Sequence, residues 1–238
     1  MAKLSSVTAF FPAYNDAGTI ASMVIAAIRT LQELTDDYEV IVVNDGSVDY
    51  TAEVLDELSN IYRQLRVIHH RVNKGYGATL RKGFMAAEKK WLFYTDGDAQ
   101  YDPHELTQLV NGLGDQVDIV NGYKIARNDP LHRVIIGKLY HFLMRIAFGF
   151  RLRDVDCDFR LMRRSIFNEV PLESTSGTIC VEMVTKFEHL GYHFAEVPVH
   201  HYHRSYGKSQ FFAFPRLFRT GVQLIRLWWK LVIRKDYQ

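Results

Sequence analysis

The run Tyr38-Glu-Val-Ile-Val-Val-Asn44 constrains this chain more than any other segment. Val40, Ile41, Val42 and Val43 are consecutive, so the segment has no polar face to turn toward water. A strand of this kind has to be covered on both sides, as in the middle of a parallel sheet flanked by helices. Val7–Phe11, Leu65–His69, Trp91–Thr95 and Val117–Asn121 are further short apolar runs. Between them Gly18–Leu34, Asp49–Arg63 and Gly77–Lys89 carry apolar residues at helical spacing, and Pro103–Gly112 begins with a proline suited to a first helical turn. Strands alternating with helices at this spacing predict an α/β fold with a mostly parallel central sheet and helices on both faces. The 238 residues suffice for one such domain. No repeat or low-complexity linker divides the chain, and the second half reads as less regular than the first.

In open parallel sheets, ligands bind beyond the carboxyl ends of the strands. Here those ends carry acids. Pro12-Ala-Tyr-Asn-Asp16 follows the first strand, Asn44-Asp-Gly-Ser47 the second, and Asp96-Gly-Asp98-Ala-Gln100 the fourth. The oxygens of Asp96, Asp98 and Gln100 suit Mg²⁺ or Mn²⁺. Such an ion can neutralise a diphosphate. Asn73-Lys74-Gly-Tyr-Gly77 can cradle phosphate with backbone N–H groups ahead of a helix. Each segment has a plainer alternative. Asn-Asp-Gly-Ser is ordinary turn and cap chemistry, with Ser47 or Asp49 as a candidate helix cap. Asn73–Gly77 serves equally well as a simple loop, and Asp96 and Asp98 could be exposed turn acids. The buried strand ahead of Asp96 favours metal or diphosphate binding there.

Charge is spread unevenly. A formal net charge of +2 gives no reason to expect nucleic acid. Leu131–Arg153 and Arg204–Lys235 nevertheless contain no Asp or Glu but many Arg and Lys, which points to an anionic partner for the second half. On a helix over Pro215–Ile233, Leu217, Phe218, Gly221, Val222, Ile225, Trp228, Trp229 and Val232 share one face. Arg216, Arg219, Gln223, Arg226 and Lys230 share the other. Adjacent tryptophans opposite a cationic face predict an amphipathic helix lying on a membrane surface. Leu131–Phe150 has a similar pattern, for which a membrane surface and the protein's own core are equally good covers. No apolar stretch is long enough and free enough of charge to span a bilayer, and Met1–Ser6 does not read as a signal peptide. Cys157 and Cys180 are expected to be reduced thiols of a cytosolic protein.

Taken in order, the segments resemble the family 2 glycosyltransferases with the nucleotide-diphospho-sugar (GT-A) fold, and within them dolichol-phosphate mannose synthases and related polyprenyl-phosphate sugar transferases. Asn73-Lys-Gly-Tyr-Gly-Ala78, Asp154-Val-Asp-Cys-Asp-Phe-Arg160, Val181-Glu-Met183 and Val197–Ser209 carry the resemblance into the second half. It implies a catalytic domain over 1–212 and an amphipathic tail over 213–238. It implies a nucleotide-sugar donor, GDP-mannose or a UDP-sugar, a polyprenyl phosphate acceptor, Mg²⁺ or Mn²⁺, and a place on the cytoplasmic face of a membrane. Oligomeric state is left open. Pro12, Tyr14, Asp16, Asp45 and Lys74 would hold the donor. Asp96, Asp98 and Gln100 would hold the metal and diphosphate, with Lys124 near the donor phosphates. Arg133, Arg204, Lys208 and Ser209 would contact phosphate, and Asp154, Arg160 and Glu182 would shape the acceptor side. The family's Arg-x-x-Gly-x-Ser-Lys ends here in Gln210, with Lys208 nearby. The reaction implied is an inverting displacement for which Asp98, Arg133, Asp154 and Arg204 are the expected catalytic residues. An acceptor phosphate needs no protein base, because its second pKa is about 6. The alternative is a saccharide or small-molecule hydroxyl acceptor, which would need an Asp base from Asp154, Asp156 or Asp158.

Overall fold

The structure is a computed structural model that describes residues 4–125, 131–206 and 214–237. Strands β1 (Val7–Ala13), β2 (Tyr38–Asn44), β3 (Leu65–His69) and β4 (Trp91–Thr95) alternate with helices α1 (Ile20–Leu34), α2 (Thr51–Ile61) and α3 (Tyr76–Ala86). A 3₁₀ turn at Pro103–Glu105 leads into α4 (Leu106–Asn111), and β5 (Ile119–Ile125), α5 (Leu131–Phe148) and β6 (Phe159–Arg163) follow. The chain continues through α6 (Ile166–Glu169), α7 (Ile179–His189), β7 (Phe194–His200) and α8 (Phe214–Trp228), which ends in a π-helical turn at Trp229–Ile233.

All seven strands form one sheet in the order β3-β2-β1-β4-β6-β5-β7. The pairs β1–β2, β1–β4, β2–β3 and β5–β7 are parallel. Strand β6 runs antiparallel to both β4 and β5. Alternate residues of each central strand feed opposite cores. Phe11, Val40 and Val42 pack with Met23, Val24, Ile28 and Leu31 of α1 and Leu55 of α2. Phe10, Ile41 and Val43 pack with Leu80 and Phe84 of α3 and Met183 and Phe187 of α7. The unbroken apolar run of β2 therefore has the two-sided cover its sequence requires.

The less regular second half supplies two strands that periodicity does not reveal. In β6 the polar pattern is misleading, because Arg160 is a core residue. In β7, Pro198 interrupts the run, and an edge position tolerates it because β7 pairs only with β5. A third core joins Phe148, Phe150, Leu152 and Val155 to Val181 and Val184 of α7 and to Leu227 and Leu231 near the C-terminus. The expected split between 212 and 213 falls outside the described residues, but the helix that follows packs on the rest of the chain.

That packing divides the tail's apolar residues differently from the single face expected. Trp228 turns inward and its indole N–H donates to the Ala147 carbonyl at 2.9 Å. Phe218, Ile225 and Trp229 point outward and are exposed. On α5, Leu139, Phe142, Leu143 and Ile146 form a second exposed apolar stripe. No helix among the described residues is long and apolar enough to cross a membrane.

Candidate active site

The carboxyl ends of β1, β2 and β4 open onto a cleft of about 260 Å³. Its walls include Pro12–Asp16, Asp45, Asn73, Gly75, Tyr76 and Thr79, with Asp96–Asp98 and Arg204. The β1 loop is held by its own acid, since Asp16 Oδ2 accepts the Tyr14 N–H at 2.9 Å. Its main chain is tied to the β2 loop, where Asn15 N–H donates to Ser47 Oγ and Asp16 N–H to Thr51 Oγ1, each at 2.9 Å. Asn15 adopts a left-handed backbone at φ 57°, a conformation asparagine tolerates better than most residues.

Asp45 has a denser set of partners than its turn-like sequence suggests. Oδ1 lies 2.7 Å from His70 Nδ1 and accepts the Lys74 N–H at 2.8 Å, and Oδ2 accepts the Gly75 N–H at 2.9 Å. Asp45 thereby fixes the loop that closes one side of the cleft. Lys74 contributes its backbone N–H, and its exposed side chain is not part of the lining.

Asp96 and Asp98 follow β4 directly. Asp96 Oδ1 accepts the Tyr76 hydroxyl at 2.8 Å. Asp98 is ion-paired with Arg204 and accepts the Gln100 N–H at 3.1 Å. Burial, then the negative charges of Asp158 and Asp98, push the Asp96 carboxyl well above its ordinary value, and the Tyr76 hydrogen bond only partly opposes them. Burial also raises Asp16 to about 6, helped by Asp98 and opposed by the Tyr14 N–H and Arg204. Burial works against the charge on Arg204, but Asp98, Asp16 and Asp96 outweigh it and hold the guanidinium protonated. Asp16, Asp96 and Asp98 thus share one guanidinium, while Asp45, the fourth acid of the lining, is met by His70 and two backbone N–H groups, and the site is short of positive charge.

That deficit is the test of whether a dication fits. The donors are hard oxygens, as Mg²⁺ and Mn²⁺ require. Among the described residues no group of three or more His, Cys, Asp or Glu is arranged to hold an ion by itself. An ion at Asp96 and Asp98 would therefore draw its remaining ligands from water and a bound phosphate, the usual manner of Mg²⁺ with nucleotides. Gln100 was expected to join the set, but its side chain is turned away. Its amide N–H₂ donates to the Tyr202 carbonyl at 3.1 Å, while Tyr202 N–H donates to the Gln100 carbonyl at 2.8 Å. These bonds fasten segment 201–206 across the cleft mouth, which brings Arg204 to Asp98.

Lys124, expected near the donor phosphates, and the expected acceptor-side residues Asp154, Arg160 and Glu182 lie apart from the lining. Lys124 Nζ donates to the Asp156 carbonyl at 2.6 Å and lies 3.8 Å from Asp154. Arg160 is buried and donates to the carbonyls of Cys157 and Val155. These side chains hold segment 154–158. Glu182 is corrected in the same way. It is 1% exposed, pairs with the fully buried Lys186 at 3.3 Å, and accepts the N–H groups of Glu173 and Ser174. The desolvation of Glu182 is offset by these internal bonds, whereas Arg160 keeps one buried guanidinium nitrogen, Nη1, without a hydrogen-bond partner. The side chain of Arg133, and Lys208 and Ser209 altogether, lie outside the described residues.

Sequence reasoning passed over Asn15, His70, Tyr76 and Thr79. Asn15 and Tyr76 carry a local signal, their places inside Pro12–Asp16 and Asn73–Gly77, and His70 and Thr79 carry none. Asp158 was considered only as a rival base, yet its charge is the leading one acting on Asp96 after burial. Tyr94 and Cys180 both donate to it. Cys157 and Cys180 are both free and buried.

Residues 8–171 match the family model described as glycosyl transferase family 2. Glycosyltransferase AglD of Haloferax volcanii is 29% identical over 237 residues, covering 96% of this chain and 38% of the relative. The undecaprenyl-phosphate 4-deoxy-4-formamido-L-arabinose transferase of Proteus mirabilis is 29% identical over 215 residues, covering 88% of this chain and 64% of the relative. The chain therefore spans less than two thirds of either protein. Glucosyl-3-phosphoglycerate synthase from Mycobacterium tuberculosis, solved with Mn²⁺, UDP and glucosyl-3-phosphoglycerate, superposes with a TM-score of 0.72 at 18% identity. That match covers 95% of this chain and 79% of the synthase, and shows a shared GT-A fold.

Proposed function

The chain belongs to glycosyl transferase family 2, and on that premise we propose that it transfers a sugar from a nucleoside diphosphate to a polyprenyl phosphate at the cytoplasmic face of a membrane. The observation that carries the reading is the cleft's charge deficit, with Asp16, Asp96 and Asp98 sharing Arg204 where a metal-bound diphosphate would lie. The polyprenyl phosphate is supported by the formamido-arabinose transferase, whose name gives undecaprenyl phosphate as its acceptor. It is supported too by exposed apolar stripes on α5 and α8, which suit a lipid surface. The donor is GDP-mannose or a UDP-sugar.

In this reading Pro12, Tyr14, Asp16 and Asp45 form the nucleoside end of the cleft, and Asp96 and Asp98 the diphosphate end. A Mg²⁺ or Mn²⁺ ion bound there would supply charge neutralisation to the departing diphosphate. Arg204, already aimed at Asp98, can turn its planar fork to a phosphate. An oxygen of the acceptor phosphate attacks the anomeric carbon, the new carbon–oxygen bond forms, and the bond to the nucleoside diphosphate breaks with its electrons leaving on that group. No proton has to be removed, because the acceptor is an anion at neutral pH. The product carries the inverted anomeric configuration.

A second reading has one observation behind it. Burial, only partly opposed by Lys124, pushes Asp156 up to about 7, the range of a general base for a hydroxyl acceptor. One assay separates the two. The protein is incubated with Mg²⁺ or Mn²⁺, GDP- and UDP-sugars, and either polyprenyl phosphate or saccharide acceptors. A glycolipid with inverted configuration is the expected product. Products on hydroxyls alone would transfer the case to Asp156, retention would reject the single displacement, and no product with any donor would overturn both readings.

A further inference from the structure

Loop 173–178 touches the cleft on one flank and the C-terminal helix on the other. Toward the cleft, its backbone lies directly against the glycines around Tyr76. Gly77 N–H donates to the Thr175 carbonyl at 3.0 Å. A Cβ on Gly77 would stand 2.5 Å from the Ser174 oxygen and 2.7 Å from that of Ser176. A Cβ on Gly75, whose φ is +94°, would stand 2.5 Å from the Thr175 oxygen. No side chain fits between these two stretches, so a shift in one is felt by the other. Tyr76 lies between the glycines at the first position of α3, with its hydroxyl on Asp96.

Two sets of contacts fix the loop from its other sides. Beneath it, the buried Glu182–Lys186 pair anchors the N–H groups of Glu173 and Ser174, and Lys186 also donates to the Pro171 carbonyl at 2.5 Å. From the C-terminus, Gln223 Oε1 accepts the Ser176 hydroxyl at 2.7 Å, and Lys230 pairs with Glu173 at 2.6 Å. Neither Gln223 nor Lys230 lines the cleft.

We propose that the C-terminal helix positions the diphosphate end of the cleft through this loop: Gln223 and Lys230 hold loop 173–178, the loop clamps Gly75 and Gly77, and the clamp seats the Tyr76 hydroxyl on Asp96. Tyr76, Gln223 and Lys230 are then positioning residues for the donor, and the inference rests on the reading in which Asp96 faces the donor diphosphate. The helix does more than cover the third core, because its polar contacts reach the site through one rigid intermediary.

Titration of the whole chain with UDP and with GDP in the presence of Mn²⁺ tests this. Tyr76→Phe, which removes the hydroxyl's hydrogen bond to Asp96, is expected to weaken nucleotide binding about tenfold. Gln223→Ala combined with Lys230→Met is expected to weaken it about threefold to tenfold. Lys230→Arg, which keeps a cation for Glu173, retains the native affinity. The three-residue variant binds no more weakly than Tyr76→Phe alone, because the effect runs through Tyr76. In the protein without nucleotide, the Gly77 amide exchanges with deuterium faster in Gln223→Ala/Lys230→Met. Unchanged affinity in that variant, losses that simply add to the loss from Tyr76→Phe, or unchanged Gly77 exchange would each overturn the proposal. If neither nucleotide binds the native chain, the functional reading fails instead, and the exchange of Gly77 alone decides the coupling.

Discussion

Two ionic clusters in this molecule are built in opposite ways. Glu182 and Lys186 neutralise each other and spend their remaining capacity on three backbone groups. Asp16, Asp96 and Asp98 share one guanidinium, and Asp16 and Asp96 are pushed upward by burial and by other acids. The first cluster is complete and gains nothing from a ligand. The second is incomplete, and a metal-bound diphosphate is the kind of partner that would complete it. Charge balance thus separates a self-sufficient pair from a candidate ligand site even though both are made of ordinary residues.

The sharpest way to break this contrast is to remove one acid from each cluster. Asp98→Ala is expected to lower kcat/KM by about 10³-fold or more while circular dichroism stays native. Retained turnover would remove the metal and diphosphate argument. Glu182→Gln is expected to do the reverse to stability, costing about 3–5 kcal/mol in urea unfolding because Lys186 is left uncompensated. A loss below 1 kcal/mol would show that the pair is not the structural anchor described here. Asp96→Asn is expected to cost little stability in the same urea assay, since it removes a negative charge that burial, Asp158 and Asp98 all oppose.

The pH dependence of stability sharpens the comparison further. Folded Asp16 keeps its proton to about pH 6, whereas the unfolded chain releases it near the ordinary 3.8. Between those values the folded state binds more protons, so this residue lowers stability as pH rises from about 4 to about 6, and the loss persists above that. The difference amounts to at most about 3 kcal/mol. Asp16→Asn should remove that part of the slope, as measured by chemical denaturation across the range, and an unchanged slope would mean that burial does not raise Asp16 in the folded protein. The smallest expected effect on the fold belongs to the outer stripe. Ile225→Asp is expected to change stability by no more than about 0.5 kcal/mol while weakening association with anionic vesicles about tenfold. Equal vesicle binding by both proteins would remove the case for a lipid surface.

Much of the first half was legible locally. Each strand of β1 to β4 is an apolar run with an abrupt polar end, and hydrophobic burial on two faces forces such runs into the middle of a helix-covered sheet. The acids at those ends fall in one cleft because parallel strands bring their carboxyl ends to one edge. The second half was less legible because its signals are long-range. Arg160 reads as a surface residue until the carbonyls of Val155 and Cys157 are seen to enclose it. Trp228 reads as part of a membrane-facing stripe until the Ala147 carbonyl is found beside its indole.

The amino-acid order by itself determined the class of fold, the strand-end placement of Asp16, Asp45, Asp96 and Asp98, and the resemblance to a sugar-transferring family, because each depends on residues close in sequence. Tertiary structure alone decided which charges are spent internally. It brought Arg204 to Asp98 across a separation of 106 residues, placed Tyr76 on Asp96, and sealed Glu182 against Lys186. The reason is physical. The energy of a charge depends on what surrounds it, and for these groups the surroundings come from distant parts of the chain.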